Sequence, residues 1–546
     1  MNSINRTSRM FLVKSLLIAL VVVSGLLLFR PLITGKAKDK NQKEQQKQPT
    51  VSDTKPPPSV QINELAKRID TAIDESEFAH ARWGVSVVSM SDGTTLYQRN
   101  AQKLFTPASN MKVYTTGVAL DLLGVDYRWR TSAYANAPLE ANGTIQGDLI
   151  LYGRGSPDLV SRGRDENTGS LTKLADDLYA RGVRNISGNV IGDESYFRGD
   201  PLGDGWQWTD MQWYFGAEAS ALSINGNEVD VNLVPSTDSK EASVVRTTDT
   251  QGYVTVQNRL VTGEGGTRST IGVHRGLSDN NIQVWGEFAP GSKGFGARLS
   301  VHRPALWAAK LFVGALKSRG ITIEGEVEVR DSRMPQSKRF DPARAVELAS
   351  VTSQPLGEIA RRTNKESINL YAELILRTLG RERGEMANFG EPSGRERGDD
   401  EAGLAVIRWW LNRAGLSTEK IALHDGSGLS RLDLVTPEST ARLLLSLSKT
   451  ASGQVFKQTL PISGRDGTLA GRLKLLVDRV TAKTGSLTYN TTLSGYLETS
   501  RGEPLAFSIM CNDQTSRADT TRLIDQIVTL IASFPDLPPE KGQKSQ

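Results

Sequence analysis

Thr106-Pro107-Ala108-Ser109-Asn110-Met111-Lys112 is the stretch on which the reading of this chain turns. Pro107 stiffens the approach, and an apolar pattern follows at Val113, Val118, Leu120, Leu122 and Leu123. Such a stretch is a loop that delivers a serine into the first turn of a helix. On that helix Ser109 and Lys112 stand three apart and share a face. A hydroxyl beside an amine is a minimal pair of nucleophile and base. The amine can take the serine proton once burial or a second cation lowers its pKa. The helix N-terminus adds backbone N–H groups and the positive end of a dipole, both suited to a developing oxyanion.

Ser-x-x-Lys alone decides little, because it occurs five times: Ser52/Lys55, Ser109/Lys112, Ser170/Lys173, Ser417/Lys420 and Ser446/Lys449. Partners elsewhere must choose. Lys483-Thr484-Gly485-Ser486 occurs once and precedes two predicted strands, Leu493–Thr499 and Leu505–Cys511. An edge strand of this composition offers a cation, a hydroxyl and a glycine that a substrate backbone can approach. Ser-x-Asn recurs, for example at Ser3, Ser223, Ser278 and Ser367. Ser278-Asp279-Asn280 lies in a Gly/Asn-rich β segment. Ser367-Ile368-Asn369 lies between two predicted helices, where both polar side chains can face one cleft.

The 546 residues imply three or four domains, or one domain with large insertions. The net charge of +5 owes much to the N-terminus, so no nucleic-acid partner is expected. Cys511 is the single cysteine, which excludes an internal disulfide and a thiolate metal cluster. There is no His-Glu-x-x-His and no Gly-x-Ser-x-Gly, so neither a zinc protease nor a nucleophile elbow is expected. His424-Asp425 is adjacent in sequence, which does not aim one side chain at the other. No metal or cofactor is called for.

Arg6, Arg9 and Lys14 precede an apolar run from Ser15 to Phe29, so residues 1–33 read as a signal peptide or signal-anchor. Residues 34–61, rich in Lys, Gln and Pro, form a polar linker. A helix is expected over Ile62–Ser76, then strands over Trp83–Met90 and Thr94–Tyr97. Residues 131–344 alternate short β runs with Gly and Asn turns, with helices at Leu171–Arg181 and Pro304–Arg319, and read as one or two inserted, mostly β domains. Residues 345–535 are helix-rich before the terminal strand pair and a closing helix, Thr515–Phe534, and 536–546 are a polar tail. The core domain is therefore discontinuous, 62–130 with 345–535.

Taken in order, Ser109-x-x-Lys112, Ser367-x-Asn369 and Lys483-Thr484-Gly485 resemble the three motifs of penicillin-binding proteins and serine β-lactamases. The long insertion between the first two resembles class C low-molecular-mass penicillin-binding proteins, the D-alanyl-D-alanine carboxypeptidase/endopeptidase family. Gly205-Trp206-Gln207-Trp208, Asp425-Gly426-Ser427-Gly428-Leu429-Ser430-Arg431 and Leu460-Pro461-Ile462-Ser463-Gly464 also match, as does Asn364-Lys365-Glu366-Ser367. Two departures stand out: Ile368 where a polar residue is usual, and Phe215 where a tyrosine is expected before Gly216.

The resemblance implies an α/β (α+β) fold: a penicillin-binding, β-lactamase-like transpeptidase domain with an antiparallel sheet flanked by helices, interrupted by the insertion. It implies an acyl-enzyme on Ser109, with Lys112 as base kept partly neutral by nearby Lys483. Ser367 and Asn369 would relay a proton and position the substrate, and Lys483, Thr484, Gly485 and Ser486 would bind it. The partners implied are peptidoglycan stem peptides and β-lactams, in the periplasmic or extracytoplasmic envelope, with the N-terminal segment as a possible inner-membrane anchor. The alternatives are a non-catalytic scaffold of the same fold, or a β-lactamase.

Overall fold

The computed structural model describes residues 59–161, 169–237, 243–248, 251–335, 339–387, 396–516 and 519–537. The expected signal segment, the linker to residue 58 and the tail from 538 lie outside them. Among the described residues no helix is long and apolar enough to cross a membrane.

Five strands form an antiparallel sheet in the order Val480–Leu487, Asn490–Glu498, Pro504–Asn512, Arg82–Ser89, Thr95–Arg99. The two ends of the chain meet in its middle, where Val85 pairs with Ile509 and Val87 with Phe507. Seven of the eight residues of Arg82–Ser89 are buried, so both faces of this strand are covered. One face carries the first and last helices, Ser59–Asp74 and Thr521–Ser533. The first buries Leu65, Ile69 and Ile73 at a four-residue spacing, and the last buries Ile524, Ile527, Val528 and Ile531. Each such side chain contributes about 1.5–3 kcal/mol through its burial.

The other face carries Met111–Leu123 and Pro437–Leu447. The first ten residues of Met111–Leu123 are all buried, so this is a central helix with no solvent stripe. Gly84 lets the layers close: a Cβ there would meet the Phe105 ring at 2.5 Å and Pro437 at 2.7 Å. Helices Leu356–Lys365, Asn369–Arg383 and Asp399–Arg413 complete this layer, with Tyr371, Ile375, Leu404 and Ile407 in its core.

The chain leaves this body along Arg130–Ala135 and returns along Val346–Thr352, and these two strands pair antiparallel, Arg130 opposite Thr352. They belong to a mixed sheet with Leu149–Tyr152, Val190–Asp193 and Val327–Arg330. Three three-stranded sheets accompany it, one around Glu228–Val234, one around Asn281–Phe288 and a small one around Asn185–Ile186. Helices Ser170–Ala180 and Pro304–Ser318 share one core with these sheets, through Leu174, Leu178, Phe312, Val231 and Ile282. Short β runs with two α-helices among the described residues between 131 and 344 are what the sequence led one to expect.

Candidate active site

Ser109 sits in a single 3-10 turn, Ala108–Asn110, that runs directly into helix Met111–Leu123. The turn is stapled to the sheet. Thr492 Oγ1 donates to the Pro107 carbonyl at 2.9 Å, Asn110 Nδ2 to Ser494 Oγ at 2.7 Å, and Thr106 N to Asn512 Oδ1 at 2.7 Å. Ala108 is left-handed at φ 48°, a conformation alanine adopts only when its surroundings impose it. Gly428 presses against it, since a Cβ there would lie 1.8 Å from the Ala108 carbonyl oxygen.

Lys112, one helical turn on, is wholly buried. Its Nζ lies 3.0 Å from Ser109 Oγ, 2.7 Å from Asn369 Oδ1 and 2.7 Å from the Ser427 carbonyl oxygen. Three acceptors match an ammonium. A neutral amine would keep two N–H bonds, to Asn369 and Ser427, and turn its lone pair to the Ser109 hydroxyl. Burial brings the pKa of Lys112 down to about 7, against the opposing pull of Asp425 and Glu373. Repulsion from Lys483 is therefore not the main cause, contrary to the reading from sequence. The repulsion registers on Lys483, which burial first and Lys112 second hold well below the usual lysine range.

Ser367 lies between helices Leu356–Lys365 and Asn369–Arg383 and is left-handed at φ 59°. The turn brings Ser367 Oγ 2.9 Å from Lys483 Nζ and Asn369 onto Lys112. Lys483 also donates to the Thr484 carbonyl at 2.8 Å. Asn369 Nδ2 donates to the carbonyl of Phe215 at 2.9 Å, so the contact at that departure is made by backbone and is indifferent to phenylalanine or tyrosine. Ile368 packs against the apolar cluster of Phe197, Ala219, Ala221, Leu370 and Leu374. An apolar side chain at the middle of the motif thus has a packing partner.

The strand Val480–Leu487 forms the sheet edge beside Ser109. A Cβ on Gly485 would meet Thr492 Oγ1 at 2.2 Å, the Pro107 carbonyl at 2.8 Å and Ser109 N at 3.0 Å. Gly485→Val is therefore expected to push the Ser109 turn off the sheet and slow covalent labelling by penicillin by about 100-fold or more. Unchanged labelling would contradict this packing. Thr484 Oγ1 donates to Thr468 Oγ1 at 2.7 Å, or accepts from it, and Ser486 is exposed.

The sequence motifs do not include the loop that closes the floor. Asp425 is buried and accepts from the N–H groups of Ser427 at 3.1 Å, Gly428 at 2.6 Å and Ser430 at 2.8 Å, and from Trp206 Nε1 at 2.9 Å. It shapes the turn that presents the Ser427 carbonyl to Lys112. Removing it strands these four donors and the Ser427 hydroxyl, so Asp425→Ala should cost about 3 kcal/mol or more. A denaturation midpoint equal to that of the unaltered protein would refute this. Glu373, one turn after Asn369, is buried and accepts from Gly426 N at 3.0 Å. Asn364 donates to Thr116 Oγ1 at 3.0 Å and to Thr459 Oγ1 at 2.8 Å, and Lys365 pairs with Asp466. The family-like stretches Asn364–Ser367, Leu460–Gly464 and Asp425–Arg431 were legible, but not these contacts.

The decoys fall elsewhere. Lys173 pairs with Asp177 at 2.8 Å, Lys420 and Lys449 are exposed, and Ser278 is in an exposed turn between strands Gly272–Arg275 and Asn281–Phe288. Ser52/Lys55 and Ser3 lie outside the described residues.

An antiparallel sheet whose edge strand carries an amine toward a helix-borne serine is the construction of the penicillin-binding proteins and serine β-lactamases. Within that class the chain belongs to the D-Ala-D-Ala carboxypeptidase 3 (S13) family, whose model matches residues 65–534. It is a serine-type D-alanyl-D-alanine carboxypeptidase. A D-alanyl-D-alanine carboxypeptidase of Actinomadura sp. is 32% identical over 486 residues, 87% of this chain and 85% of that one. The crystal structure of penicillin-binding protein 4 from Haemophilus influenzae superposes with a TM-score of 0.72 at 25% identity, over 86% of this chain and 98% of that one. A second structure of that protein, in complex with a β-lactam, has a TM-score of 0.65 at 24% identity, over 85% of this chain and 97% of that one.

Proposed function

We propose that Ser109 is the nucleophile and Lys112 its base. The observation that carries this is the wholly buried Lys112 amine, 3.0 Å from Ser109 Oγ and anchored on its other side by Asn369 and Ser427. Neutral Lys112 takes the hydroxyl proton as Ser109 Oγ attacks the carbonyl of the penultimate D-alanine. The N–H groups of Ser109 and Ser486 hold the oxyanion, each contributing about 3 kcal/mol. Ser367, bonded to Lys483, hands a proton to the departing D-alanine amine. Lys483 and Thr484 take the terminal carboxylate, and Gly485 lets the substrate backbone lie close to the strand. Water then releases the shortened peptide from Ser109.

The substrates on this reading are peptidoglycan stem peptides. β-Lactams, bound by the Haemophilus relative, would acylate the same serine. Endopeptidase cleavage of cross-linked stems uses the same steps with a longer leaving amine. We assign the chemistry to a discontinuous body, 62–130 with 345–535, and regard 131–344 as inserted. The support is that the chain leaves and returns through neighbouring strands. The reaction belongs outside the cytoplasm, where stem peptides are, with residues 1–33 as export signal or anchor.

The reading is tested by incubation with a pentapeptide ending in D-Ala-D-Ala and with a cross-linked stem dimer. Release of D-alanine that penicillin blocks is expected from the first, and monomers from the second. No D-alanine release would sink the reading.

A further inference from the structure

A cavity of about 1830 Å³ lies between the inserted region and helices Asn369–Arg383 and Asp399–Arg413, and none of Ser109, Lys112, Ser367, Asn369 or Lys483 lines it. It is larger than the roughly 300–1,000 Å³ usual for small-molecule sites. Arg377 is at its wall with a side chain only 2% exposed. Its Nε and Nη2 are buried and make no hydrogen bond. Arg377 forms an ion pair with Asp400 at 3.6 Å, too long for a hydrogen bond. A guanidinium is permanently charged and carries five donors, and buried ones are ordinarily paired and saturated.

Glu373, one helical turn before Arg377, does not supply the missing charge in full. Burial pushes its carboxyl up, with Asp425 adding to the shift and Arg377 opposing it. Three other arginines of the wall are paired: Arg198 with Asp399 at 2.6 Å, Arg333 with Asp331 at 2.7 Å and Arg339 with Glu396 at 3.0 Å. Arg408 joins Arg377 on the helical side and donates to the Leu423 carbonyl at 2.9 Å. Glu194, which accepts from Ser220, faces the cavity from the inserted side. One wall thus offers unsatisfied guanidinium donors, and the opposite wall Glu194, whose carboxyl burial pushes up to about 7.

We propose that this cavity is a second binding site, separate from the Ser109 cleft, for a short peptide with free termini, whose carboxylate pairs with Arg377 and whose ammonium faces Glu194. The planar fork of arginine matches a carboxylate with two parallel hydrogen bonds.

The test is calorimetric titration of the full-length protein with tetra-L-alanine, which lacks a D-Ala-D-Ala end, before and after penicillin treatment. One-site binding that penicillin leaves unchanged is expected. Amidating the peptide's C-terminus, or replacing Arg377→Met, should weaken it at least about tenfold, the loss of one charge-assisted contact. Inorganic phosphate should compete poorly against the peptide. No binding, equal binding of the amide, or loss of binding on penicillin treatment would overturn the proposal, and so would phosphate binding as tightly as peptide. Should Arg377→Met fail to fold by circular dichroism, Arg408→Met and the amidated peptide decide. Unaltered affinity in both would overturn it.

Discussion

Ser109→Ala removes covalent labelling by penicillin and lowers D-alanine release by about five orders of magnitude or more, the scale seen when a nucleophile is deleted from a serine hydrolase. The side chain lost is small, and its neighbours keep their anchors. The turn stays tied to the sheet through Thr492, Ser494 and Asn512, none of which bonds to the serine hydroxyl. Stability should therefore change by less than about 1 kcal/mol. Ser446→Ala, which alters another Ser-x-x-Lys pair, should label normally. The check is a gel of fluorescent-penicillin adducts beside a melting curve. Retained labelling in Ser109→Ala would dismiss this serine.

Lys112→Ala should be nearly as damaging to acylation, by about four to five orders of magnitude, and for a different reason. It leaves the nucleophile in place and takes away the group that accepts its proton. The same assignment fixes the pH dependence. Burial lowers the amine from its ordinary 10.5 to about 7. Above that value the amine is neutral and has a lone pair for the serine proton, and below it the ammonium has none. Acylation should therefore rise with pH through about 7 and fall about a hundredfold two pH units below it. Labelling rates between pH 5 and 9 check this. A flat profile, or near-normal labelling of Lys112→Ala, would remove Lys112 as base.

The site was readable from sequence to the extent that its chemistry demands residue types in a fixed order. Ser109, Lys112, Ser367, Asn369 and Lys483 carry groups that nothing else supplies, and they fall into two hydrogen-bonded sets, Ser109–Lys112–Asn369 and Ser367–Lys483. What escaped depends on three-dimensional burial. Glu373 sits in mid-helix, where an acid reads as solvent-facing, yet it lies against Gly426 with 1% exposure. The cause of the low Lys112 pKa escaped for the same reason, because a like charge can be guessed from a motif and desolvation cannot. The left-handed Ala108 packs against Gly428, more than 300 residues away.

The fold followed the same division. Strongly patterned elements were found close to their bounds, among them Ser170–Ala180 and Pro304–Ser318. Arg130–Ala135 was missed because its small and polar residues show no alternation, and five of its six residues are buried. Helix Gly453–Thr459 begins on glycine and is too short to show a periodic face. The last helix starts at Thr521 rather than Thr515, and Asp519, ahead of it, accepts from Thr521 N at 2.8 Å. Ile368 looked like a defect in a polar motif, whereas the cluster around Phe197 and Leu374 gives it an apolar seat.

The central claim is that one serine among five similarly spaced candidates carries the acyl group. Mass spectrometry of the penicillin-treated protein after proteolysis tests it most directly. The account predicts a single adduct, on the peptide that contains Ser109, absent from Ser109→Ala and strongly reduced in Lys112→Ala. An adduct on Ser367, Ser446 or any other residue, or an unmodified protein under conditions where it releases D-alanine, would contradict it.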